Sequence, residues 1–475
     1  MMTSSKHDAA TGETIAAIAT PPGVGGIGII RISGPASKAV LERFFRPSGK
    51  AFTEYVPWKL HHGHVIAGDG TKLDEALSVF MPGPHTFTGE DVAELHCHGG
   101  PALLSIILNE VLQIARPAQR GEFSKRAFLN GRMDLSQAEA VAELIAAPSR
   151  EGAELALGKL DGVLFRRVTA LREQLEVLRA NMCLAVDFPD DEVEGMGRDA
   201  LLAGIHAVNE SIGSLLAGVE RTRCWREGVV IALAGPVNAG KSSLMNALLG
   251  RSRAIVTEQP GTTRDFLEES VMLAGIPARL VDTAGIRPAE WETQDAIEAE
   301  GIRMGLSRVH EADVCVVLID GIQGLVTETV SLLKNMDARR TIVAWNKNDV
   351  APAPEDFLTG RGLWGTVCAG RVALSAKTGQ GLEELALLVR HIVLEGQSAQ
   401  ATLQDEVAPN VRQAAALQQA HTALCELAVD VTQSLPYELC LIRLEEAAQA
   451  LGSVTGIDTT DEVLNRIFES FCIGK

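Results

Sequence analysis

The chain is poor in aromatic residues, short of basic charge and without any paired-cysteine spacing, and each shortage removes a class of function. Aromatics make up 4% of its 475 residues, with only two tyrosines, whereas a stacking platform for single-stranded nucleic acid needs aromatic rings for successive bases. A formal net charge of −18 argues against a general nucleic-acid coat, which must set clustered Lys and Arg against phosphates. Any RNA contact has to be local or assisted by a partner. The eight cysteines form no C-x-x-C pair, which argues for reduced thiols and against a zinc knuckle or a disulfide framework. No apolar run approaches the roughly 18 residues of a membrane span; the longest strand-like one, 314–319, has the length of a buried strand. Residues 1–13 are polar and carry no hydrophobic export core, so a cytoplasmic protein with no membrane partner is expected.

What is present is ordinary globular composition, 46% hydrophobic with 45 glycines and 19 prolines. The length is too great for one core and implies about two to four domains. Residues 1–130 read as mixed α/β, with strand-like runs at 27–32 and 76–80, turns at Pro21-Pro22-Gly23 and Gly68-Asp69-Gly70, and a helix at 102–114. Gly23-Val-Gly-Gly-Ile-Gly28 matches a dinucleotide fingerprint, but that motif needs a strand before it and a helix after it. Here two prolines precede and a β-like run follows, so a Gly-rich turn is the better reading.

Residues 131–227 read as helical. Ser136-x-x-Glu139 has the form of a capping box, and Leu157, Leu160, Leu164, Val168, Leu171, Leu175, Leu178 and Met182 make one apolar stripe on a long helix. Residues 228–392 alternate strand and helix as a P-loop α/β domain should. Residues 393–475 are helical again, with a stripe through Leu417, Leu424, Leu427, Val431 and Leu435 and a last helix capped near Thr459. The expected fold is therefore multidomain, α/β plus all-α: an N-terminal α/β domain, then a helical domain with an inserted Ras-like P-loop domain.

Four elements inside that insert carry chemistry: Gly235-Pro-Val-Asn-Ala-Gly-Lys-Ser242, Asp282-Thr-Ala-Gly285, Asn346-Lys-Asn-Asp349 and Ser375-Ala-Lys377. A strand, a Gly-rich loop and a helix N-terminus cradle phosphates with backbone N–H groups. Lys241 is placed to reach the β and γ phosphates and the Ser242 hydroxyl to ligate Mg²⁺, with Asn238, Ala239, Gly240 and Ser243 completing the loop. Asp282 supplies a carboxylate to the metal shell, and Thr283, Ala284 and Gly285 follow it toward the γ phosphate. Asn346, Lys347 and Asp349 serve the base: a carboxylate accepts from guanine's N1–H and 2-amino group, which adenine cannot satisfy, so the nucleotide is GTP. Ser375, Ala376 and Lys377 close over the ring. Between these elements, Thr257, Glu258, Gln259, Pro260, Gly261, Thr262 and Thr263 form a switch-like segment, with Thr263 the choice for a second Mg²⁺ ligand.

Ras-like enzymes place a water-orienting glutamine after the second element. Here that position is Ile286, which has no polar atom. Either GTP is bound without hydrolysis, or charge arrives another way. An arginine finger contributes about 10³ to 10⁵ in rate, and a cation in the same place does similar electrostatic work. Asn238 and carbonyls of 257–262 are suited to cage a monovalent ion, but taken by itself Asn238 reads better as a residue chosen for turn geometry.

Taken together, the inserted GTPase, the stretch Gly261-Thr-Thr-Arg-Asp265 and the terminus Phe471-Cys-Ile-Gly-Lys475 resemble the MnmE (TrmE) family of tRNA-modification GTPases. Ala19-Thr-Pro-Pro-Gly23, Phe87-Thr-Gly-Glu-Asp91, His98-Gly-Gly-Pro101, Gly121-Glu-Phe-Ser124, Arg126-Ala-Phe-Leu-Asn130 and Asp187-Phe-Pro-Asp190 extend the likeness over nearly the whole chain. The resemblance implies K⁺ at Asn238, Thr257, Gln259 and Thr262, and Glu298 as the glutamate that acts through water, although the stretch from Gly285 to Glu298 is longer than the family pattern. It implies that residues 1–130 bind a tetrahydrofolate derivative (the 5-formyl or 5,10-methylene form) and dimerise. The folate residues would be Arg31, Glu94, Arg132 (where the family usually has Lys, a change that alters hydrogen-bond geometry) and the terminal Lys475. Cys472 is a candidate reactive thiol or a packed cysteine. The partners implied are a second copy, an FAD-binding protein of the MnmG (GidA) type in a heterotetramer, and tRNA. The reaction implied is addition of an aminomethyl or carboxymethylaminomethyl group to C5 of the wobble uridine, U34. The alternative is a GTPase switch in ribosome assembly, which would call for an RNA-binding appendage; no basic cluster or KH-type region is present. His96 and His98 flank Cys97 without an acidic partner at fixed spacing, which argues against a metal there.

Overall fold

In a computed structural model the described residues are 12–49, 52–187, 197–251, 268–282, 311–394 and 406–474. The chain divides into two compact units: residues 1–143, 159–216 and 409–475 form the first, and 144–158 with 217–408 the second.

The first unit contains a sheet of β1 (Ile15–Ile18), β2 (Gly25–Ser33), β3 (Phe45–Pro47), β4 (His61–Ile66), β5 (Lys72–Met81), β6 (Val92–Gly99) and β7 (Arg116–Pro117), in the order β3-β4-β5-β6-β2-β1-β7. Side chains alternate across a strand, so Ile30 and Ile32 on β2 and Ala93, Leu95 and Cys97 on β6 point to one buried face. There they meet Val40, Leu41 and Phe44 of helix Ser37–Phe44 and Leu104, Ile107 and Val111 of helix Pro101–Val111. The latter helix starts with proline at its first position, where no N–H is needed, and ends earlier than the expected 114. The Gly-rich stretch from Gly23 runs straight into β2, and a Cβ at Gly99 would lie 2.5 Å from the Gly25 carbonyl. These glycines let two strands approach, and no helix follows, so the dinucleotide reading is excluded.

The helices differ from the sequence expectation in three places, one of them the last helix, which has Thr460 and not Thr459 at its N-cap and no side-chain cap bond. The long stripe is broken: Arg150–Leu160, most of which belongs to the second unit, and Val163–Asp187 are separate helices, divided at Gly162 with φ +78. Leu164, Val168, Leu171, Leu175, Leu178 and Met182 are buried as a stripe, but Leu157, on the other helix, is exposed. The capping box belongs to Asp134 and Gln137, not to Ser136 and Glu139. Asp134 Oδ1 accepts from the Gln137 N–H at 3.1 Å while Gln137 Oε1 accepts from the Asp134 N–H at 2.9 Å. Ser136 is already inside helix Leu135–Ala146, and Glu139 instead takes a bidentate pair from Arg412 at 2.6 and 2.8 Å. Helix Arg198–Arg226 has the length and apolar content of a membrane span, but its Leu201, Ile205, Val208, Ile212 and Leu215 are buried at helical spacing, the pattern of an amphipathic helix packed on one face. The last helix, Asp461–Glu469, buries Leu464 and Phe468 with Phe471 against Leu135 and Ala138.

The second unit holds a six-stranded sheet of β8 (Val229–Ala234), β9 (Glu268–Leu273), β10 (Ile276–Asp282), β11 (Val314–Asp320), β12 (Thr341–Asn346) and β13 (Gly370–Ala373), in the order β13-β12-β11-β8-β10-β9. Every neighbouring pair except β9–β10 is parallel. Parallel strands are buried on both faces, and the continuous apolar runs follow from that. Val229, Ile231 and Leu233 pack on one face with Leu244 of helix Lys241–Arg251 and Leu385 of helix Leu382–Leu394. Ala232, Ala234, Val317 and Val343 pack on the other with Leu333 and Phe357. Cys224, near the end of helix Arg198–Arg226, joins the first of these cores. Arg223 pairs with Asp313 at 2.5 Å, and Asp313 accepts the Val230 N–H at 2.8 Å.

Candidate functional site

In a doubly wound sheet, ligands bind beyond the carboxyl ends of the strands. Four of the five parallel strands end there within two residues of one that the sequence singles out. β8 runs into Gly235, β10 ends at Asp282, β12 ends at Asn346, and β13 is followed by Leu374 and Ser375.

The Gly-rich loop is held by close packing. Gly235 takes φ +140, and a Cβ there would lie 2.6 Å from the Leu318 carbonyl; Gly240 takes φ +96, and its Cβ would lie 2.3 Å from Asn346 Nδ2. Lys241, nearly buried, donates from Nζ to the Gly235 and Pro236 carbonyls at 2.9 and 3.0 Å. Burial pushes its ammonium below the ordinary value, with Asp282 opposing the shift. The Ser242 hydroxyl donates to Asp282 Oδ2 at 3.3 Å, and Asp282 Oδ1 is buried with no hydrogen-bond partner among the described residues. One hydroxyl and one carboxylate oxygen, with a carboxylate atom left over, form the hard-oxygen donor set that Mg²⁺ takes. Ala239 is fully buried and Ser243 exposed.

Asn238 has φ +66, a left-handed conformation that asparagine tolerates better than most residues. Turn geometry is thus a sufficient reason for an asparagine at this position. Its side chain is also exposed and makes no hydrogen bond to a described residue, so its amide oxygen is uncommitted.

Asn346 turns out to be a tie between loops. Its Nδ2 donates to the Ala239 carbonyl at 2.8 Å, while its Oδ1 accepts from the Lys347 and Ala376 N–H groups at 2.8 and 3.1 Å. One buried amide therefore joins the phosphate loop to both base-side loops. Lys347, at φ +62, pairs with Asp320 at 2.7 Å. Asp320, at the end of β11, was not foreseen: a single acidic residue after a strand carries no sequence signal until its partner is located. The Asp349 carboxylate is exposed and uses no described partner. Ser375 is buried, its Oγ accepting the Thr378 N–H at 3.2 Å, and Lys377 is exposed. Thr257, Glu258, Gln259, Pro260, Gly261, Thr262, Thr263, Thr283, Ala284, Gly285, Ile286 and Glu298 lie outside the described residues.

A second polar site lies in the first unit. Arg31 and Glu94 are cross-strand neighbours on β2 and β6, with Arg31 Nε donating to Glu94 Oε1 at 2.8 Å. The Arg31 guanidinium stands 6.0 Å from the Phe87 ring centroid and 5.9 Å from that of Phe123, within cation–π range. Arg132 donates from Nε to the Thr86 carbonyl at 2.9 Å, so Arg31 and Arg132 meet the same Thr86–Phe87 stretch. The surrounding motifs form one charged network. Arg126, 3% exposed, pairs with Glu90 at 2.9 Å and with Glu122 at 3.0 Å, and Arg116 takes Glu122 at 2.6 Å. Burial raises the Glu122 carboxyl, but Arg116, the Gln119 N–H and Arg126 overcome it and hold the group at about 2.

At the terminus, Phe471 is buried, Gly474 takes φ +93 with its Cβ position 2.4 Å from the Ile18 carbonyl, and the Cys472 carbonyl accepts the Gly121 N–H at 3.4 Å. The Cys472 side chain is exposed, so it is not a packed core cysteine; Lys475 lies outside the described residues. The histidines beside Cys97 do have acidic partners, His96 with Glu94 at 3.0 Å and His98 with Asp74 at 2.7 Å. The Asp74 partner comes from another strand, where sequence spacing does not reveal it. Among the described residues no three metal-ligating side chains gather.

Comparison with known proteins identifies the family to which the chain is similar. The family model for the MnmE helical domain matches residues 135–472, and that for the GTP-binding protein TrmE N-terminus matches residues 14–132. The tRNA modification GTPase MnmE of Nitratidesulfovibrio vulgaris (strain Hildenborough) is 53% identical, covering 99% of this chain and 100% of the relative. That of Lawsonia intracellularis is 49% identical over 98% of this chain and 100% of the relative. Among solved structures, Era of Aquifex aeolicus is 25% identical, covering 41% of this chain and 66% of that one, with a TM-score of 0.29.

Proposed function

Because the chain belongs to the MnmE family of tRNA modification GTPases and is a GTP hydrolase, we propose that it is a K⁺-dependent GTPase that helps to modify the wobble uridine of certain tRNAs. Lys241 and the backbone N–H groups of the loop hold the phosphates, Ser242 and Asp282 hold Mg²⁺, and Asp349 selects guanine. With no polar atom at Ile286, a positive charge other than an arginine supports the transition state. Asn238 would help to hold a K⁺ ion, which would supply that charge beside the phosphates. The observation that carries this reading is Asn238, whose amide is exposed and uncommitted in the phosphate loop. Thr257, Gln259 and Thr262 would complete the K⁺ ligand set, Thr263 would ligate Mg²⁺ and sense the γ phosphate, and Glu298 would act through water.

In the first unit, Arg31, Glu94, Arg132 and Lys475 take a tetrahydrofolate derivative, the source of the one-carbon unit. The exposed thiol of Cys472 is close in sequence to Lys475. The chain works as a homodimer with an FAD-binding partner of the MnmG type in the cytoplasm. Together they add an aminomethyl or carboxymethylaminomethyl group to C5 of U34, with glycine or ammonium as nitrogen donor. With a net charge of −18, much of the tRNA affinity belongs to the partner. Mass spectrometry of wobble nucleosides from cells with and without this protein tests the reading: the C5-modified uridines disappear with the protein. Their persistence at normal level would favour a non-modifying GTPase switch.

A further inference from the structure

The register of β2 and β6 opposes Arg31 to Glu94 and Ile29 to His96. Alternation then puts Arg31, Glu94 and His96 on one face of the sheet, while Leu95 and Cys97 go to the buried face. Glu94 is gripped on both oxygens: Arg31 Nε donates to Oε1 at 2.8 Å, and His96 Nε2 meets Oε2 at 3.0 Å. Burial raises the Glu94 carboxyl, but the hydrogen bonds from His96 and Arg31 win and keep it below its ordinary value. It is therefore ionised and accepts only, so the proton between Glu94 and His96 sits on Nε2.

Each carboxylate oxygen offers about two acceptor positions. One on each is taken, which leaves one on each for a ligand. A pterin presents two adjacent donors, a ring N–H and an exocyclic amino group, and a carboxylate receives both only when its plane lies along that edge. The terminal torsion of glutamate is broad, so a single donor at Oε1 leaves that plane free to turn. The second donor at Oε2 stops it.

We propose that His96 is a positioning residue for the folate site, setting the plane of the Glu94 carboxylate so that both oxygens face the paired N–H edge of the pterin. This rests on the folate reading of Arg31 and Glu94. Arg31 is itself braced by the Phe87 and Phe123 rings, so the imidazole is the only other side chain that hydrogen-bonds Glu94 among the described residues.

The test is the affinity of the full chain for 5-formyltetrahydrofolate, by calorimetry, in wild type, His96→Leu, His96→Ala, His96→Gln and Glu94→Gln, with thermal unfolding measured on each. Removing the donor in His96→Leu or His96→Ala weakens binding about tenfold. His96→Gln, which keeps an N–H, stays within about threefold of wild type. Glu94→Gln, which sets an amide N–H against a donor, loses on the order of a hundredfold. Wild-type affinity in His96→Leu and His96→Ala overturns the positioning role. So does an equal loss in His96→Gln and His96→Leu, because ring shape and not the donor would then matter. Wild-type affinity in Glu94→Gln removes the folate reading at this site, a separate failure. If His96→Leu melts early, the contrast between His96→Ala and His96→Gln carries the decision.

Discussion

At the scale of single residues, Asn346 and Gly240 show how the nucleotide site is kept in shape. The side-chain amide of Asn346 satisfies one acceptor and two donors from three loops, and Gly240 leaves room for it. Alanine at Gly240 would bring Cβ to 2.3 Å from Asn346 Nδ2 and force a side chain into φ +96. Strain of that kind costs about 1–3 kcal/mol, and here it also breaks the amide tie. Gly240→Ala should therefore weaken binding of a fluorescent GTP analogue by at least about tenfold, with thermal unfolding read beside it. The sequence marks candidate residues for phosphate, magnesium and guanine by their spacing, and the structure brings Lys241, Ser242, Asp282 and Asn346 to one end of the sheet. The internal partners were not legible in the sequence: Asp320 with Lys347, or His96 on Glu94, depend on which strands become neighbours.

At the scale of elements, the strand-like runs 27–32, 76–80 and 314–319 fall inside β2, β5 and β11, while short strands such as β1, β3 and β7 and several helix boundaries escaped the sequence. The runs feeding the phosphate loop and Asp349 are short, apolar and closed by chemistry-bearing residues, so β8 and β12 were evident. Helices failed where two signals competed. A stripe continuing from Leu157 to Met182 hid the break at Gly162, where φ +78 ends one helix before the next begins. Ser136 and Glu139 had the spacing of a capping box, but Asp134 and Gln137 have it too, and Asp134 won because the helix begins at Leu135. The capping box at Asn410 and Gln413, opening helix Val411–Thr432, has both reciprocal bonds at 2.9 Å. Asn410→Ala should lower stability by about 1 kcal/mol in urea unfolding, more if loss of its contact with Glu143 at 3.1 Å adds to the missing cap.

At the scale of the whole molecule, the sequence implied a helical domain interrupted by a GTPase domain, and each of the two units collects segments from distant parts of the chain. The first unit takes three segments, so the sheet, the helix after Asn410 and the terminus around Phe471 fold as one body. Such closure is invisible to local pattern, since it depends on contacts such as Gly474 on Ile18. Joined in one chain are a nucleotide site with Ile286 in place of glutamine and a separate polar site around Glu94. The account turns on how the first of these hydrolyses GTP. GTP turnover by the full chain, measured in KCl and in NaCl at equal ionic strength, tests this most directly, with Asn238→Ala alongside. Turnover on the order of a hundredfold faster in K⁺, with most of that gain lost in Asn238→Ala, is the predicted result; equal rates in the two salts would contradict it.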